Sequence, residues 1–415
     1  MDVVRGATFV AALLLAWVSL HPFADLSNAL IADLTNGNEA STYLAFGGLA
    51  ALTMVLVARD NWPALMSLVS PGYLMLGGWI LVSVLLSTEP GTSMRRLVLT
   101  LCVIAVAATL TLLAKSAHEL MRWFGIAALA LLVICYLGVL LAPQFATHLA
   151  TDAQEPQLAG DWRGAFGHKN LTAAVMAVLI FVGIYVARSG GWISGTFTAV
   201  LALVFLFFTG GKSSLALCLG VLMLTSFATV FPWFWLRALM LFTPLLLLNM
   251  LSIGTVMSST LANIADHLPL DTSFTGRTDI WTFGVQAAQQ KLWTGYGFAA
   301  FWGSSAVKNL PEGMEWAATA AHSHNGYLDT TLTMGLPGLA MLIAVLVVGP
   351  LRNFQAACER GNMSPLAMLL LRIWLFGIYL SSMESFYFDR AEPIWFTFLV
   401  AVFGLHYLAR FRMRE

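Results

Sequence analysis

The sequence contains few charged residues and few cysteines, and both shortages restrict what the protein can be. Charged residues make up 10% of the 415 residues, against 59% hydrophobic residues, and the mean hydropathy is +0.80. This composition excludes an ordinary soluble domain. We therefore expect the protein to be surrounded by membrane lipids, and we expect no nucleic-acid partner.

Long apolar runs recur along the chain. Twelve of them are long enough to cross ~30 Å of hydrocarbon. They lie near 7–24, 42–58, 71–87, 97–114, 123–142, 170–187, 192–208, 213–230, 235–254, 328–349, 364–383 and 392–409. Because lipid offers no partner to backbone N–H and C=O groups, such segments must be helices. The sequence predicts an all-α polytopic membrane protein, with 1–415 as a single integral membrane domain, about 12 transmembrane helices and an uncleaved first helix.

The cysteines agree with this interpretation. Cys102, Cys135 and Cys218 lie in predicted spans, and Cys358 lies in a short loop. Thiols inside a membrane bundle are ordinarily small packing residues. We expect no disulfide, redox role or metal role for them.

Lysine and arginine orient the predicted helices. With the N-terminus inside and twelve crossings, every short loop on the inside is basic, as the positive-inside rule requires. These inside residues are Arg5, Arg59, Lys115, Arg122, Arg188, Arg237, Arg352, Arg360, Arg410, Arg412 and Arg414. The sequence thus predicts that the long polar loop 255–327 lies outside and carries part of a functional site.

Four polar segments fall on the outside face in this topology: 161–170, 209–214, 276–281 and 322–327. Cations at a membrane edge are costly unless they snorkel or meet an anion. Several of them on one face indicate a site for a lipid-borne anion, and the candidates are Arg163, Lys169, Lys212 and Arg277. Simpler alternatives stay open, with Arg163 and Lys169 as interface anchors and Arg277 paired with Asp279.

His322 and His324 lie two residues apart, with Asp329 nearby. This spacing allows a zinc site, but no third histidine or cysteine pair accompanies it, so we expect no metal. A histidine that titrates near neutrality suits general-base catalysis, which is typically worth ~10²–10⁴-fold in rate.

The segment that runs from His324-Asn325 to Gly335-x-x-Gly338-Leu339 resembles the loop-to-helix signature of bacterial O-antigen ligases. The resemblance covers roughly residues 160–340. Two details, Gly167-His168-Lys169-Asn170 and the run 292–302, are more similar to the exopolysaccharide polymerase branch of that superfamily. One departure is Lys212, at a turn where ligases generally carry arginine, because lysine keeps the charge but loses the bidentate fork.

The resemblance implies a GT-C-like membrane glycosyltransferase of the bacterial inner membrane, with a large periplasmic loop. It implies transfer of a glycan from an undecaprenyl diphosphate carrier to an acceptor hydroxyl on the periplasmic face, without metal or other cofactor. The acceptor would be another lipid-linked repeat or a lipid A core. Direct attack would invert the anomeric carbon.

The resemblance also implies a role for each candidate residue. His324 is the expected general base, while Arg277 and Lys212 are the expected catalytic cations that meet the diphosphate. The residues expected to bind substrate are Arg163, His168, Lys169, Asn170, His322, Asn325 and Trp281.

Two other functions and one choice of acceptor stay open. A transporter would place polar groups at mid-membrane, but Arg372 is the one charge clearly inside a span, and the spans lack paired Gly/Pro breaks. A scaffold would need none of the four segments.

We favour a polymerase over a ligase because the outside loops are more acidic than basic, which would repel a phosphate-rich core. Aromatic residues there also offer faces for sugar stacking, namely Trp281, Trp293, Tyr296, Phe298, Phe301, Trp302 and Trp316.

Overall fold

The computed structural model describes residues 2–18, 22–27, 39–153, 155–267, 277–302, 304, 307 and 320–412. Helices and the loops between them make up this part of the chain, and the one β-type contact in it is an isolated bridge between Thr147 and Trp162. The prediction of an all-α fold is confirmed for these residues.

Fifteen of the described helices are numbered here in chain order. The first six are α1 (Asp2–Val18), α2 (Glu39–Met66), α3 (Pro71–Leu85), α4 (Pro90–Leu110), α5 (Ala117–Leu141) and α6 (Lys169–Arg188). The next five are α7 (Trp192–Phe208), α8 (Lys212–Val230), α9 (Phe234–Leu251), α10 (Ser259–Asp266) and α11 (Arg277–Gln290). The last four are α12 (Gly326–Leu342), α13 (Gly349–Glu359), α14 (Pro365–Leu380) and α15 (Pro393–Leu408), and a π-helical segment at Ile343–Val348 joins α12 to α13.

Seven helical stretches of the described chain are long and apolar enough to cross a membrane. They are Ala40–Met66, Pro90–Leu110, Ala117–Leu141, Lys169–Arg188, Lys212–Val230, Phe234–Leu251 and Gly326–Glu359. Four apolar helices are shorter, namely Pro71–Leu85, Trp192–Phe208, Pro365–Leu380 and Pro393–Leu408. The protein is thus a polytopic, all-α membrane protein, while the count of about 12 helices and the GT-C-like assignment stay predictions.

Burial separates central helices from peripheral ones. Nearly every side chain of α14 and α15 is buried, and so are most side chains of α6. A helix that is apolar all round belongs in the interior of a large bundle. By contrast, α2 and α9 expose large apolar side chains such as Val55 and Leu246, as expected of helices that face lipid.

Charged ends of several helices meet at one end of the bundle. Arg5 at the start of α1 forms an ion pair with Asp60 in the last part of α2, and Lys115 Nζ before α5 lies 2.6 Å from the Asp2 carboxylate. The start of α12 and the end of α14 meet at the opposite end, where Gly326 N–H donates to the Ser381 carbonyl at 2.8 Å. Tyr407 OH at the end of α15 donates to the Ala108 carbonyl, close to Lys115. The loop before α15, which contacts the histidine segment, therefore lies at the other end of the bundle from the groups around Lys115.

Helix α12 is broken within its apolar stretch, which the sequence interpretation did not anticipate. Gly335 has φ 67° and ψ −176°, a conformation that glycine adopts readily and other residues do not. Pro337 follows two residues later. A second non-helical residue, Asn61, lies near the end of α2, before Pro63. The sequence analysis expected spans that lack paired Gly/Pro breaks, whereas the structure contains these two local interruptions.

A loop after α11 satisfies the backbone groups that the break leaves free. Tyr296 N–H donates to the Leu332 carbonyl at 2.8 Å, and Leu336 N–H donates to the Leu292 carbonyl at 2.8 Å. Trp79 of α3 donates from Nε1 to the Met334 carbonyl at 2.9 Å. Irregular backbone is tolerated at membrane depth when protein groups provide such partners. The run 292–302 and the glycine motif of α12 therefore form one packed unit.

We expect Gly335→Ala to lower the midpoint of thermal unfolding of the purified protein. A Cβ at position 335 would lie 2.5 Å from the carbonyl carbon and oxygen of Trp293, and φ would remain positive. The left-handed conformation alone costs roughly 1–2 kcal/mol for a residue with a side chain. Gly77→Ala in α3 is the matched control, because a Cβ there meets nothing within 4 Å. Equal midpoints for the two variants would contradict this account of the break.

Candidate functional site

Asn325 fixes the start of α12. Its Oδ1 accepts hydrogen bonds from Tyr327 N at 3.1 Å and Leu328 N at 3.0 Å, the pattern that makes asparagine a preferred N-cap. Its Nδ2 donates to the Ser382 carbonyl at 3.2 Å, and the residue is fully buried. Because both ends of the amide bind within the protein, Asn325 positions its neighbours, and the geometry does not support direct contact with a substrate.

The loop before α12 holds His324 in an unusual backbone conformation. His324 has φ 54°, in the left-handed region that non-glycine residues seldom occupy. The preceding Ser323 is clamped on both sides: its N–H donates to the Asp329 carboxylate at 3.1 Å, and its carbonyl accepts from Trp281 Nε1 at 2.9 Å. Strained residues that persist because their surroundings determine them cluster at functional sites. The backbone thus presents His324 in a fixed position.

His324 forms a hydrogen-bonded pair with a carboxylate. Its Nδ1 lies 2.9 Å from Glu384 Oε2, and the histidine side chain is 30% exposed. An ionised carboxylate only accepts hydrogen bonds, so Nδ1 carries the proton in this pair. The Nε2 lone pair of His324 is then free to accept a proton, which is the arrangement that a general base needs.

Glu384 also contacts two other residues that the sequence singled out. Its Oε1 accepts from Arg277 Nη2 at 2.8 Å and from Asn170 Nδ2 at 3.3 Å. A second nitrogen of Arg277 donates to the Met383 carbonyl. Burial by itself would raise the pKa of Glu384, but the His324 hydrogen bond and the Arg277 charge lower it to about 2. The carboxylate is therefore ionised at neutral pH and joins three of the predicted segments.

Sequence reasoning missed Glu384 as a site residue. It lies in the short loop between α14 and α15, which also contains Asp389 and Glu392. Glu392 instead caps α15 by accepting from Trp395 N at 2.6 Å, and burial raises its pKa to about 8. The sequence does place several carboxylates on the same face as the cations, but nothing in it distinguishes Glu384 from Asp389 or Glu392. The alternative pairing of Arg277 with Asp279 is wrong, since Arg277 pairs with Glu384.

The segment 161–170 and the turn 209–214 lie side by side. Lys169 Nζ lies 2.5 Å from Asp161 Oδ2. Gly210 packs against the same carboxylate, since a Cβ on it would lie 2.9 Å from Asp161 Oδ1. Lys212, two residues later, begins α8 and is exposed. A paired lysine and an exposed lysine thus lie close together at the N-termini of α6 and α8.

His168 caps α6. Its Nδ1 accepts from Asn170 N at 3.1 Å, and its Nε2 lies 2.7 Å from Glu155 Oε2. This cap places Asn170 in the first turn of α6, from which the Asn170 side chain reaches Glu384. About a third of the His168 side chain is exposed, so the ring remains available to a substrate.

Arg163 lies in the interior and holds loops together. Its side chain is fully buried. Its guanidinium donates to three backbone carbonyls, those of Thr147 at 3.3 Å, Phe166 at 2.9 Å and Ala24 at 2.7 Å. The prediction that Arg163 meets a lipid-borne anion, and the alternative that it anchors at the interface, both need an accessible guanidinium. The geometry supports a structural role instead.

Most of the aromatic residues proposed for sugar stacking are core residues. Trp281 is fully buried, with its Nε1 bonded to the Ser323 carbonyl. Tyr296, Phe298 and Phe301 are buried as well. A buried ring has no free face for a sugar, so direct binding by Trp281 is not supported. Trp293 is 68% exposed and keeps that possibility, while Trp316 lies outside the described residues.

His322 extends the site beside His324. The two imidazole rings are 4.2 Å apart between centroids, and His324 N–H donates to His322 Nδ1 at 3.3 Å. Burial and the neighbouring His324 lower the pKa of His322. His322, His324 and Glu384 each offer a metal-ligand atom, and these atoms lie within 4.8 Å of one another. The Asp329 carboxylate considered earlier instead accepts from Trp302 Nε1 at 2.8 Å and from Ser323 N.

A comparison with known protein families covers part of this site. Residues 197–343 match the O-antigen ligase family model. The match includes Lys212, Arg277, His322, His324 and Asn325, whereas the segment 161–170 precedes it. It confirms the predicted resemblance to the O-antigen ligase superfamily over that part of the chain.

A curated relative supports the exopolysaccharide branch of the superfamily. It is the exopolysaccharide production protein ExoQ of Rhizobium meliloti (strain 1021), which is 25% identical over 199 residues. The alignment covers 44% of this chain and 45% of the relative. The chain thus spans about half the length of the curated relative that it matches.

Proposed function

We propose that this protein transfers a glycan from an undecaprenyl diphosphate carrier to a sugar hydroxyl, on the periplasmic face of the bacterial inner membrane. The observation that carries the proposal is the joint contact of Glu384 with His324, Arg277 and Asn170. This contact unites a candidate base, its orienting carboxylate and a cation at one end of an apolar bundle. The match to the O-antigen ligase family supports glycan transfer as the reaction.

His324 is the general base of the proposed reaction. The acceptor oxygen attacks the anomeric carbon while Nε2 of His324 takes the hydroxyl proton. The bond from that carbon to the diphosphate breaks, and its electron pair leaves with the diphosphate, so the configuration inverts. Glu384 holds the Nδ1–H in place and stabilises the imidazolium that forms. No covalent intermediate on the protein is needed.

Cations at helix starts meet the charge that develops on the leaving diphosphate. Lys212 is exposed at the N-terminus of α8, where the helix dipole also favours an anion. Lys169 lies at the start of α6 and Arg277 at the start of α11. Charge-assisted hydrogen bonds from such groups stabilise a diphosphate. We therefore propose a reaction that needs no metal or other cofactor.

The positions of these cations favour transfer over transport. A transporter binds its substrate near the bilayer midplane, between discontinuous helices. Lys169, Lys212 and Arg277 instead lie at the first residues of their helices. The backbone groups that the break at Gly335 frees are hydrogen-bonded to the loop after α11. A protein that acted only as a scaffold would not need the hydrogen-bonded network that Glu384 forms with His324, Arg277 and Asn170.

An exopolysaccharide polymerase is the more specific proposal, and an O-antigen ligase is the second candidate. The relative named for exopolysaccharide production favours the polymerase, and the family description favours the ligase. By the predicted topology the outside loops hold nine Lys and Arg against sixteen Asp and Glu, and this excess of negative charge disfavours a phosphate-rich lipid A core as acceptor. We therefore propose another carrier-linked repeat as the acceptor.

Deletion of the gene tests the choice of acceptor. A polymerase predicts that single carrier-linked repeats accumulate and that high-mass polysaccharide disappears, while lipopolysaccharide is unchanged. Extracted lipid-linked glycans and lipopolysaccharide are analysed by mass spectrometry and gel electrophoresis. Re-expression of the wild-type chain is the control. Long carrier-linked chains together with uncapped lipopolysaccharide would identify a ligase instead.

The periplasmic assignment is tested by reporter fusions. Fusions after Arg188 and Arg352, which follow the positive-inside rule, should report the cytoplasm, and a fusion within 255–320 should report the periplasm. Alkaline phosphatase and green fluorescent protein, each active in one of the two compartments, provide the measurement. A cytoplasmic signal from 255–320 would place His324 on the wrong side for a flipped carrier, and the proposed function would fail.

A further inference from the structure

The side chains of His322, His324 and Glu384 form a compact cluster with the donor atoms of a metal site. One donor atom from each lies within 4.8 Å of the others. All three residues are half-buried, so the cluster is neither sealed in the core nor spread over the surface. Loop segments carry all three, since His322 and His324 precede α12 and Glu384 follows α14. Side chains on loops can adjust by the small amount that a bound ion requires.

The donor set matches zinc. Zinc binds imidazole nitrogen at ~2.0–2.1 Å and carboxylate oxygen at ~2.0–2.2 Å, so two ligands of one tetrahedral ion lie ~3.3 Å apart. His324 Nδ1 and Glu384 Oε2 are already 2.9 Å apart, and the His322 ring lies against the His324 ring, with centroids 4.2 Å apart. Magnesium and calcium prefer an all-oxygen shell. A set of three ligands that includes two imidazoles therefore favours zinc or a similar transition-metal ion over magnesium and calcium.

We propose that His322, His324 and Glu384 form a zinc site, and that zinc bound there inhibits the enzyme. The ion takes the place of the proton between His324 Nδ1 and Glu384 Oε2, and His322 completes the protein ligands. Arg277 lies 2.8 Å from the other oxygen of Glu384 and opposes a resident cation. The site is therefore occupied only when the zinc concentration rises. The inhibitory part rests on the proposed function, whereas the binding part does not.

Inhibition follows from what zinc removes. In the free site, Glu384 orients the His324 imidazole and balances the charge that it gains as a base. A zinc ion on the imidazole withdraws electron density from the ring and adds positive charge where the proton must arrive. It also ties the Glu384 carboxylate to the metal. A zinc-loaded protein should therefore bind the carrier-linked donor but transfer it slowly.

Calorimetric titration of the metal-stripped, full-length protein in detergent tests binding. We expect one zinc site in the wild type, and an affinity at least ~10–100-fold lower in His322→Ala, the loss that even an outer-shell partner causes. His322→Gln gives a second variant that keeps a hydrogen-bond acceptor near His324 N–H. His118→Ala is the matched control, because His118 is exposed at the start of α5, at the other end of the bundle. Unchanged affinity in both His322 variants, or equal binding of magnesium, would overturn the site.

Transfer assays on purified carrier-linked donor test inhibition. Zinc at saturation should slow the wild type at least tenfold, and EDTA should restore the rate. Without added zinc, EDTA should not lower the rate. Each His322 variant is compared with its own zinc-free rate and should be insensitive to zinc at the wild-type inhibitory concentration. A wild type that binds zinc but transfers at full speed would refute inhibition alone, whereas a zinc-binding protein that transfers no glycan would refute the proposed function alone.

Discussion

His324→Ala is expected to reduce the rate of glycan transfer by ~10²–10⁴-fold, the usual contribution of a positioned general base. His324 is the histidine whose Nδ1 is fixed by Glu384, which leaves Nε2 for the acceptor proton. The loss should fall on kcat, because the acceptor hydroxyl and the diphosphate have other contacts. The measurement is turnover of purified carrier-linked donor, together with the donor affinity of each variant.

His267→Ala is the matched control for this prediction. His267 directly follows α10 in the same long loop, is exposed, and has its Nδ1 2.6 Å from the Asn263 carbonyl. Its loss should leave the rate within about twofold of the wild type, as for surface substitutions in general. His322→Ala should have an effect between the two. If donor affinity falls in parallel with the rate in His324→Ala, then His324 binds substrate and another residue is the base.

The sequence could predict the membrane class and the meeting of its polar segments, because both depend on simple physical rules. Lipid forces apolar runs into helices, and charge bias orders their ends. The segments that carry Asn170, Arg277 and His324 fall on one face by that reasoning, and the structure joins all three through Glu384. The prediction needed only the direction of each helix.

Burial within loops could not be predicted in the same way. Arg163 and Trp281 are residue types that bind anions and sugars, and both lie in loops or helices beside the site. The structure directs their polar atoms to backbone carbonyls, three for Arg163 and that of Ser323 for Trp281. Residue type indicates which interactions a side chain can make, whereas the tertiary fold determines which partner lies within reach of it.

The glycine motifs show the same limit. The sequence assigned Gly335 and Gly338 to a signature and the run 292–302 to a family branch, without a link between them. In the structure a Cβ on Gly295 would lie 2.5 Å from the Thr333 carbonyl carbon, and one on Gly335 would lie 2.5 Å from that of Trp293. Both positions require glycine, because the backbone of each segment occupies the space that a side chain on the other segment would fill. Such reciprocal packing is long-range and leaves no periodic signal.

Glu384→Gln is expected to lower the transfer rate by ~10²–10⁴-fold, almost as much as the loss of His324. Glutamine keeps the shape of glutamate but loses the charge, and its amide can donate to Nδ1 and so favour the wrong tautomer of His324. A carboxylate that orients a catalytic histidine has an effect of this size in the serine protease template. Arg277 would also lose its ion-pair partner. The measurement is kcat and KM for the carrier-linked donor.

Asp279→Asn is the matched control, since it removes one negative charge two residues from Arg277. Asp279 is exposed in the first turn of α11, so its loss should change the rate by less than about twofold. Glu384→Asp should recover part of the activity, because it restores the charge at a longer distance from His324. A structural role alone would lower the yield of folded protein without lowering kcat per folded molecule. If Glu384→Gln folds and turns over at the wild-type rate, the His324–Glu384 pair is not the catalytic unit, and the base must lie elsewhere.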